Sequence, residues 1–277
     1  MYVGIVLYNP IIEIVRNNIN KITKSNVIDK IILIDNHSKN INEIRKLSNI
    51  SESIVLIEND DNLGIATALN QMCLHAYNYQ CEKILTLDGD SKITKKLLVE
   101  YYNYEFRPYE GIVSCRIVDR NFGDMRTNKR SGIDDIDFCI TSGSLLNLKI
   151  WNLIGGFDEK MFIDGVDFDY CIRIKKNGFT IKRLNYVKLD HEIGHGKKVR
   201  LFRRNALVLN HSKLRLYYIS RNYLYLGFKH RQHLKWFIEV AKRILLVLLY
   251  EKQKFAKLHY MFKGIAHCLL GNFGKYN

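Results

Sequence analysis

Short apolar runs alternate with amphipathic stretches through the first ninety residues. Four runs rich in β-branched residues, YVGIVLYN, KIILID, IVLIEN and KILTLD, are apolar at consecutive positions. Between them lie helical stretches such as IVRNNINKITKS and GIATALNQMCLHAYNY. Strands that are apolar on both faces, with amphipathic helices between them, predict βαβ units and a parallel sheet covered on each side. The pattern therefore predicts an α/β fold.

Polar side chains gather where each apolar run ends. Tyr8 and Asn9 follow the first run, and the next three runs end in polar groups at 35–38, 59–62 and 88–91. In parallel sheets, ligands bind at the carboxyl ends of the strands. Neither a G-x-G-x-x-G nor a P-loop motif follows any of these runs, so dinucleotide-binding and P-loop proteins lose their main support.

The second half of the chain changes in pattern. Residues 111–148 contain two strand-like runs, GIVSCRIV and FCITSGSLLNL, separated by a polar segment with three aspartates that is typical of a mobile loop. From Lys213 onward, apolar and basic residues recur at helical spacing, which predicts amphipathic helices. The longest apolar run there, 244–249, is far shorter than the roughly 20 residues of a membrane-spanning helix. We therefore expect that this chain is not an integral membrane protein.

The excess positive charge lies in one region. The net charge is +15, and residues from 196 onward hold 18 Lys and Arg against two Glu, a net charge of +16. The first 195 residues hold 25 basic and 26 acidic residues. This asymmetry indicates nucleic acid or an anionic membrane as a partner, or only a solvated helical face. The six cysteines form no C-x-x-C pair and are typical of reduced thiols in a cytosolic protein.

The letters HEIGH at 191–195 match the H-E-x-x-H pattern of zinc peptidases. That chemistry requires both histidines on one helix face and a further ligand. Gly194 and Gly196 flank His195, and each glycine inside a helix costs about 1 kcal/mol relative to alanine. A basic run follows where a third histidine would stand. We therefore interpret the segment as a loop.

Two acidic groups carry candidate chemistry. The turn LDGDS places Asp88 and Asp90 after a strand, where carboxylates suit a divalent cation that bridges to a diphosphate. D-G-D is also common turn chemistry. Asp164, Asp167 and Asp169 lie within MFIDGVDFDYCIR, just before a helix. Helix capping explains one or two of them, and a third could deprotonate an attacking hydroxyl.

Together these segments resemble an inverting glycosyltransferase of family 2, with a GT-A fold, and in particular its bacterial rhamnosyltransferase-type members. The resemblance spans nearly the whole chain. The segments that carry it are VLYNP, ILIDNHS, NDDNLGIATALN, LTLDGDS, TSGSLLNL, IGGFDEKMFIDGVDFDYCIR, LDHEIGH and RLYYISRN. It implies a catalytic domain at 1–195, with a nucleotide-sugar half at 1–110 and an acceptor half at 111–195, followed by a basic helical region at 196–277.

The resemblance also implies roles for single residues. Asp35 would bind the pyrimidine, with Tyr8 and Asn62 lining the nucleoside pocket, and Asp88 would lie near the ribose. The remaining positions implied in donor binding are Asn9, Asn70, Gly89, Ser142 and Gly143.

For the metal and the base, the resemblance implies Asp90 and His191 as ligands of Mn²⁺ or Mg²⁺ and Asp167 as the catalytic base. Val166 replaces the glutamate that usually precedes this aspartate in the family. Asp164 therefore stays a rival base. His195 has either no function or one that the sequence leaves open.

The expected reaction moves a sugar from a dTDP- or UDP-sugar, with rhamnose favoured, to a lipid-linked saccharide in bacterial cell-surface polysaccharide synthesis. We expect a cytoplasmic protein that binds peripherally to the inner face of the membrane and has no nucleic-acid partner. The sequence does not determine whether it forms an oligomer. The alternatives are a nucleotidyltransferase, although VGIVLYNP lacks a basic, Gly-rich phosphate loop, and a nucleic-acid-binding module, although the acidic pocket argues against it.

Overall fold

The structure is a computed structural model that describes residues 1–119, 123–124, 132–191, 197–201 and 204–276. Its strands are β1 Tyr2–Leu7, β2 Lys30–Asp35, β3 Ile54–Glu58, β4 Lys83–Asp88, β5 Glu110–Asp119, β6 Gly123–Asp124, β7 Ile133–Ile136, β8 Ser144–Asn147, β9 Thr180–His191, β10 Lys197–Leu201 and β11 Arg204–Val208. Its helices are α1 Ile12–Thr23, α2 Ile41–Ser48, α3 Ile65–Asn78, α4 Lys95–Tyr102, α5 Leu148–Leu153, α6 Val166–Lys176, α7 Lys213–His230, α8 His233–Tyr250 and α9 Lys254–Leu269, with a short 3₁₀ helix at Glu159–Met161.

The main sheet has the strand order β3-β2-β1-β4-β8-β5-β9-β7, and β6 pairs with β5. Strands β1 to β4 are parallel to one another. Strand β8 is antiparallel to both of its neighbours, β5 and β9 are parallel, and β7 is antiparallel to β9. The predicted α/β fold with a mostly parallel sheet is confirmed. The carboxyl ends of β1, β2, β3 and β4 therefore meet at one edge.

Two hydrophobic layers explain why the first strands are apolar at every position. On β2, Ile31 and Leu33 point into the layer formed with α1, α2 and α4. Ile32 and Ile34 point into the opposite layer, with α3, α5 and α6. All four side chains are almost fully buried. Because successive strand residues face opposite sides, covering both faces requires an unbroken apolar run.

The region between residues 111 and 148 differs from the expectation. The polar segment read as a mobile loop contains β7, which pairs with β9. Asp134 and Asp135 lie in this strand and form ion pairs with Arg183 and Lys182 across the ladder, at 3.4 and 2.7 Å. Cross-strand charge pairs of this kind compensate for the low strand propensity of aspartate. The run FCITSGSLLNL is a strand only at its end, in β8.

The region after residue 195 begins with the hairpin β10–β11 and becomes helical only from α7. Helices α8 and α9 both pack against α7. Leu226 of α7 and Trp236 of α8 are buried in the same cluster as α3 and α6, so these helices continue the core of the catalytic region. The division at residue 195 stays a prediction. Within the described ranges, no helix is long and apolar enough to cross a membrane.

Candidate active site

The loops after β1 and β2 are tied together at the carboxyl edge. The backbone N–H of Asn9 donates to Ser38 Oγ at 2.8 Å, and the N–H of Lys39 donates to Asn9 Oδ1 at 2.8 Å. Asn9 adopts a left-handed φ of 48°, which asparagine tolerates better than most residues. Tyr8, just before it, is exposed at the edge. Asn9 thus builds the loop, and Tyr8 offers its ring to solvent.

Asp35 ends β2 with its side chain almost fully buried. Its Oδ2 accepts the backbone N–H of Ser38 at 3.0 Å. Its Oδ1 is buried and accepts no hydrogen bond from the described residues. A buried carboxylate oxygen without a donor is costly unless a ligand supplies one. The N–H group of a pyrimidine ring is such a donor, so the geometry fits the predicted role of Asp35.

A buried amide network shapes the loop between β3 and α3. Asn36 Oδ1 accepts hydrogen bonds from Asn59 Nδ2 at 3.0 Å and from the N–H of Leu63 at 3.2 Å. Asn36 Nδ2 donates to the carbonyl of Gly64 at 3.0 Å. Asn62 closes the turn by accepting the N–H of Gly64 at 3.0 Å. Sequence reasoning gave no role to Asn36 or Asn59, although their place at strand ends was a usable signal.

The turn at 88–91 is fixed from two sides. The N–H of Asp88 donates to Ser142 Oγ at 3.0 Å, and the hydroxyls of Ser142 and Ser91 lie 2.7 Å apart. A Cβ on Gly89 would lie 3.2 Å from Leu7 and 3.3 Å from the backbone of β1, so the turn packs closely on that strand. Asp88 is half-buried and Asp90 is exposed. The two carboxylates therefore share one short turn at the site edge.

The end of β9 runs beside this turn. The N–H of Lys92 donates to the carbonyl of Asp190 at 2.8 Å, which brings the backbone of His191 next to the acidic turn. His195 and the rest of HEIGH after His191 lie outside the described residues. Among the side chains that the structure describes, no three His, Cys, Asp or Glu residues form a metal cluster. Two carboxylates on one turn nevertheless fit a hard cation whose other ligands come from a diphosphate.

Asp167 lies in the first turn of α6. Its Oδ1 accepts the N–H of Thr141 at 3.1 Å. It lines a cavity of about 270 Å³ together with Ser142, Arg183 and the aromatic rings of Phe138 and Phe168. The same short loop, 138–143, therefore contacts Asp167 through Thr141 and the acidic turn through Ser142.

The two neighbouring aspartates are engaged elsewhere. Asp164 has a left-handed φ of 62° and binds Arg215 through both of its oxygens, at 3.1 to 3.3 Å. Burial raises the pKa of Asp164, and the Arg215 guanidinium opposes that rise. Asp169 is fully buried and binds Arg173 and His230 at 2.7 and 2.8 Å.

These contacts give the two neighbours different tasks from that of Asp167. Burial by itself would raise the pKa of Asp169, but its hydrogen bond to His230 and its nearby cations hold that pKa well below the usual range. Asp169 therefore clamps α6 to α7. Of the three, Asp167 is the one that lines the cavity.

Asn70 and Gly143 have structural contacts that account for them. The side chain of Asn70 donates to the carbonyl of Phe157 at 2.9 Å and accepts its N–H at 2.8 Å. It also donates to Glu159 at 2.8 Å. Gly143 is buried, and its carbonyl accepts the hydroxyl of Tyr101 at 2.7 Å. Their donor-binding roles stay predictions that this geometry does not favour.

Two solved structures share the fold of this chain. Residues 1–349 of S. aureus TarS in complex with UDP-GlcNAc match with a TM-score of 0.63 and 13% identity, over 98% of this chain and 83% of that chain. GalNAc-T7 with UDP, GalNAc and Mn²⁺ matches with a TM-score of 0.53 and 12% identity, over 98% of this chain and 57% of that chain. At these identities the likeness shows the fold, which is GT-A.

The sequence comparisons define the class further. The model of Glycosyl transferase family 2 matches residues 2–175, and the chain belongs to this family. It is 27% identical over 287 residues to the dTDP-rhamnosyl transferase RfbF of Shigella flexneri, covering 98% of this chain and 95% of the relative. The predicted resemblance to rhamnosyltransferase-like members is confirmed. The chain is therefore a glycosyltransferase, which displaces the nucleotidyltransferase and nucleic-acid-binding alternatives.

Proposed function

We propose that this chain transfers rhamnose from dTDP-rhamnose to a hydroxyl of a saccharide acceptor, with inversion at the anomeric carbon. The near full-length similarity to a dTDP-rhamnosyl transferase supports the donor. A UDP-sugar is the second candidate, because the structurally similar TarS was solved with UDP-GlcNAc.

The observation that carries the reaction is the loop 138–143. Its Thr141 N–H binds Asp167, and its Ser142 hydroxyl binds the N–H of Asp88. One short segment thus spans the distance between the proposed base and the turn proposed to hold the donor diphosphate. An acceptor in the cavity beside Asp167 would face a sugar whose leaving group lies over the acidic turn.

The chemistry follows from this arrangement. Asp167 accepts the proton of the acceptor hydroxyl as its oxygen bonds to the anomeric carbon. The bond between that carbon and the diphosphate breaks on the opposite face, so the configuration inverts, through an oxocarbenium-like transition state. Asp35 and Tyr8 hold the nucleoside. A Mn²⁺ or Mg²⁺ ion, held by Asp90 with His191 nearby, would neutralise the charge that develops on the departing diphosphate.

We include in the proposal a lipid-linked acceptor and a position at the cytoplasmic face of a membrane. The region after residue 195 carries a net charge of +16. Helices α8 and α9 expose large apolar side chains: Leu234, Phe237, Ile238, Leu248, Leu249, Phe255, Phe262 and Leu269. Helices with exposed apolar and basic side chains bind the surface of an anionic bilayer without spanning it.

The proposal is tested by incubating the full chain with dTDP- and UDP-sugars, Mn²⁺ or Mg²⁺ and a panel of saccharide acceptors. We expect dTDP-rhamnose to be consumed fastest, with dTDP released. NMR of the product should show the anomeric configuration opposite to that of the donor. Turnover of a different nucleotide sugar would correct the donor, and retention of configuration would refute the single displacement.

A further inference from the structure

Arg221 of α7 is a buried cation whose donors bind backbone carbonyls. The residue is fully buried. Its guanidinium lies near the rings of Tyr217, Tyr218 and Phe273, at 5.4, 5.0 and 5.7 Å. Its Nη2 donates to the carbonyl of Met161 at 3.0 Å and, more weakly, to that of Lys160 at 3.3 Å. Burying a guanidinium is costly unless its donors are satisfied. Two of the satisfying groups, the carbonyls of Lys160 and Met161, belong to the segment that leads to α6.

Asn222 extends the same contact. It is also fully buried, and its Nδ2 donates to the carbonyls of Met161, Ile163 and Asp164 at 2.8, 2.7 and 2.8 Å. Its Oδ1 accepts the Nε–H of Arg221 at 3.0 Å, which fixes the orientation of the amide. Two adjacent side chains of α7 thus bind four of the five carbonyls of the segment 160–164, and the fifth, of Phe162, accepts the N–H of Ile65 at 2.7 Å.

That segment has a backbone that needs external support. Phe162 and Asp164 both have left-handed φ values, 64° and 62°, and Gly165 follows at 87°. Non-glycine residues in this conformation persist only where surrounding contacts over-determine them. Asp167 comes three residues after Asp164, in the first turn of α6. The segment therefore sets the position and direction from which Asp167 enters the cavity.

Gly274 contacts both Arg221 and the segment 160–164. The N–H of Gly274 donates to the carbonyl of Lys160 at 2.9 Å, and the carbonyl of Gly274 accepts from Arg221 Nη1 at 2.8 Å. Arg221 thus joins the segment before α6 to the last residues that the structure describes.

We propose that Arg221 and Asn222 are positioning residues for transfer, which act through Asp167 by holding the segment 160–164. This inference rests on the proposed role of Asp167. It gives the basic helical region a task in the reaction that is separate from membrane contact.

The test uses Arg221→Lys, which keeps the charge and the stem but loses the planar fork. We expect kcat to fall about 10- to 100-fold, because a displacement of about 1 Å in a reacting group has an effect of this size. Calorimetry with the nucleoside diphosphate and Mn²⁺ should give a Kd within about twofold of the wild type. The reason is that the hydrogen-bond partners of Arg221 lie outside the proposed donor site. Asn222→Ala should show the same division, and it replaces Arg221→Lys if that variant does not fold.

The decisive readout is a double-mutant cycle. In an Asp167→Asn background, Arg221→Lys should cost less than about threefold in kcat, because the group through which it acts is already disabled. Ile22→Ala is the matched control, since Ile22 is buried in the layer on the other side of the sheet. It should lower Tm and leave kcat unchanged well below Tm.

The outcomes separate the two proposals. An equal loss from Arg221→Lys in both backgrounds, an unchanged kcat, or a donor Kd that weakens as much as kcat falls would overturn the positioning role. Transfer that survives the Asp167→Asn substitution would instead refute the proposed base, and with it the claim that Arg221 and Asn222 act through Asp167.

Discussion

The donor half and the catalytic half hold their carboxylates in different ways. Asp35 and Asp88 are the last residues of buried strands, and neighbouring loops at the same sheet edge fix their surroundings. Asp167 instead follows a segment whose carbonyls accept hydrogen bonds from Asn222. The nearest of these carbonyls, that of Asp164, lies 58 residues before Asn222 in the chain. Strand ends and the loops beside them position the first set, whereas the second depends on a helix outside the region matched by the family model.

This difference separates two kinds of site architecture. Side chains at strand ends inherit their position from the backbone ladder, which many core contacts support. Asp167 lies at the start of a helix, after a segment with three positive φ values. Its position therefore depends on a few buried polar contacts. Such contacts are strong only while every partner is present. We therefore expect the catalytic half to lose activity through changes far from the cavity, and the donor half to lose it only through changes at the edge.

The largest expected effect distinguishes Asp167 from Asp164. Asp167→Asn keeps the shape and the bond from Thr141 but cannot take a proton, so transfer should fall about 10²- to 10⁴-fold with donor binding nearly unchanged. Asp164→Asn removes the charge that pairs with Arg215. It should therefore cost less in transfer and affect the segment before α6. Single-turnover transfer, with donor Kd measured in parallel, decides the assignment. The reverse ranking would make Asp164 the base.

The donor half could be predicted from sequence because its site is local. Apolar runs located the strands, and the rule that ligands bind at the carboxyl edge located Tyr8, Asp35 and the acidic turn together. The parallel registers of β1 with β2 and β4 bring these residues to one edge. An unbroken apolar run indicates a strand buried on both faces without any knowledge of distant contacts, which is why the fold of this half could be predicted.

The rest could not be predicted because it depends on distant contacts. Asp134 and Asp135 indicate a loop because aspartate is rare in strands. The strand that they form is stabilised by partners on β9, which lie about fifty residues away. Arg221 and Asn222 were read as part of a basic amphipathic helix, yet both are fully buried. One signal was present: they are polar residues within the apolar stretch of α7. Without the fold, nothing indicates that carbonyls before α6 satisfy them.

A smaller effect is expected at the acidic turn. Asp90 is exposed, so Asp90→Ala should leave stability within about 0.5 kcal/mol. In the wild type, Mn²⁺ should tighten nucleoside diphosphate binding on the order of 10- to 100-fold, because the cation neutralises the phosphates. Asp90→Ala should abolish this gain in affinity. Calorimetry with and without Mn²⁺ is the measurement. Asp60→Ala is the control, because Asp60 is an exposed carboxylate of the loop that follows β3. Unchanged metal dependence in Asp90→Ala would remove Asp90 from the cation site.

The smallest effect concerns the outward face of the helical region. Removing α8 and α9 would confound the comparison, because Trp236 packs against Phe168 with ring centroids 5.3 Å apart. Gly264 of α9 also lies so close to α7 that a Cβ there would be 2.4 Å from the carbonyl of Tyr217. The inward face of these helices thus belongs to the catalytic half. Only the exposed side chains can be changed without disturbing it.

Replacing Phe237, Phe255 and Phe262 with Ser should therefore weaken membrane binding and spare the active site. In flotation with anionic vesicles, we expect the wild type to bind at low salt and to dissociate at high salt, since each basic residue near the surface contributes at most about 1 kcal/mol and salt screens it. The triple variant should float several-fold less, while it hydrolyses the nucleotide sugar at the wild-type rate. Tyr79→Ser with Tyr102→Ser is the control, because these exposed aromatics lie in the donor half. If the triple variant floats as well as the wild type, or if the wild type does not float, the outward face of α8 and α9 contacts something other than a membrane, and the basic charge serves solubility or assembly.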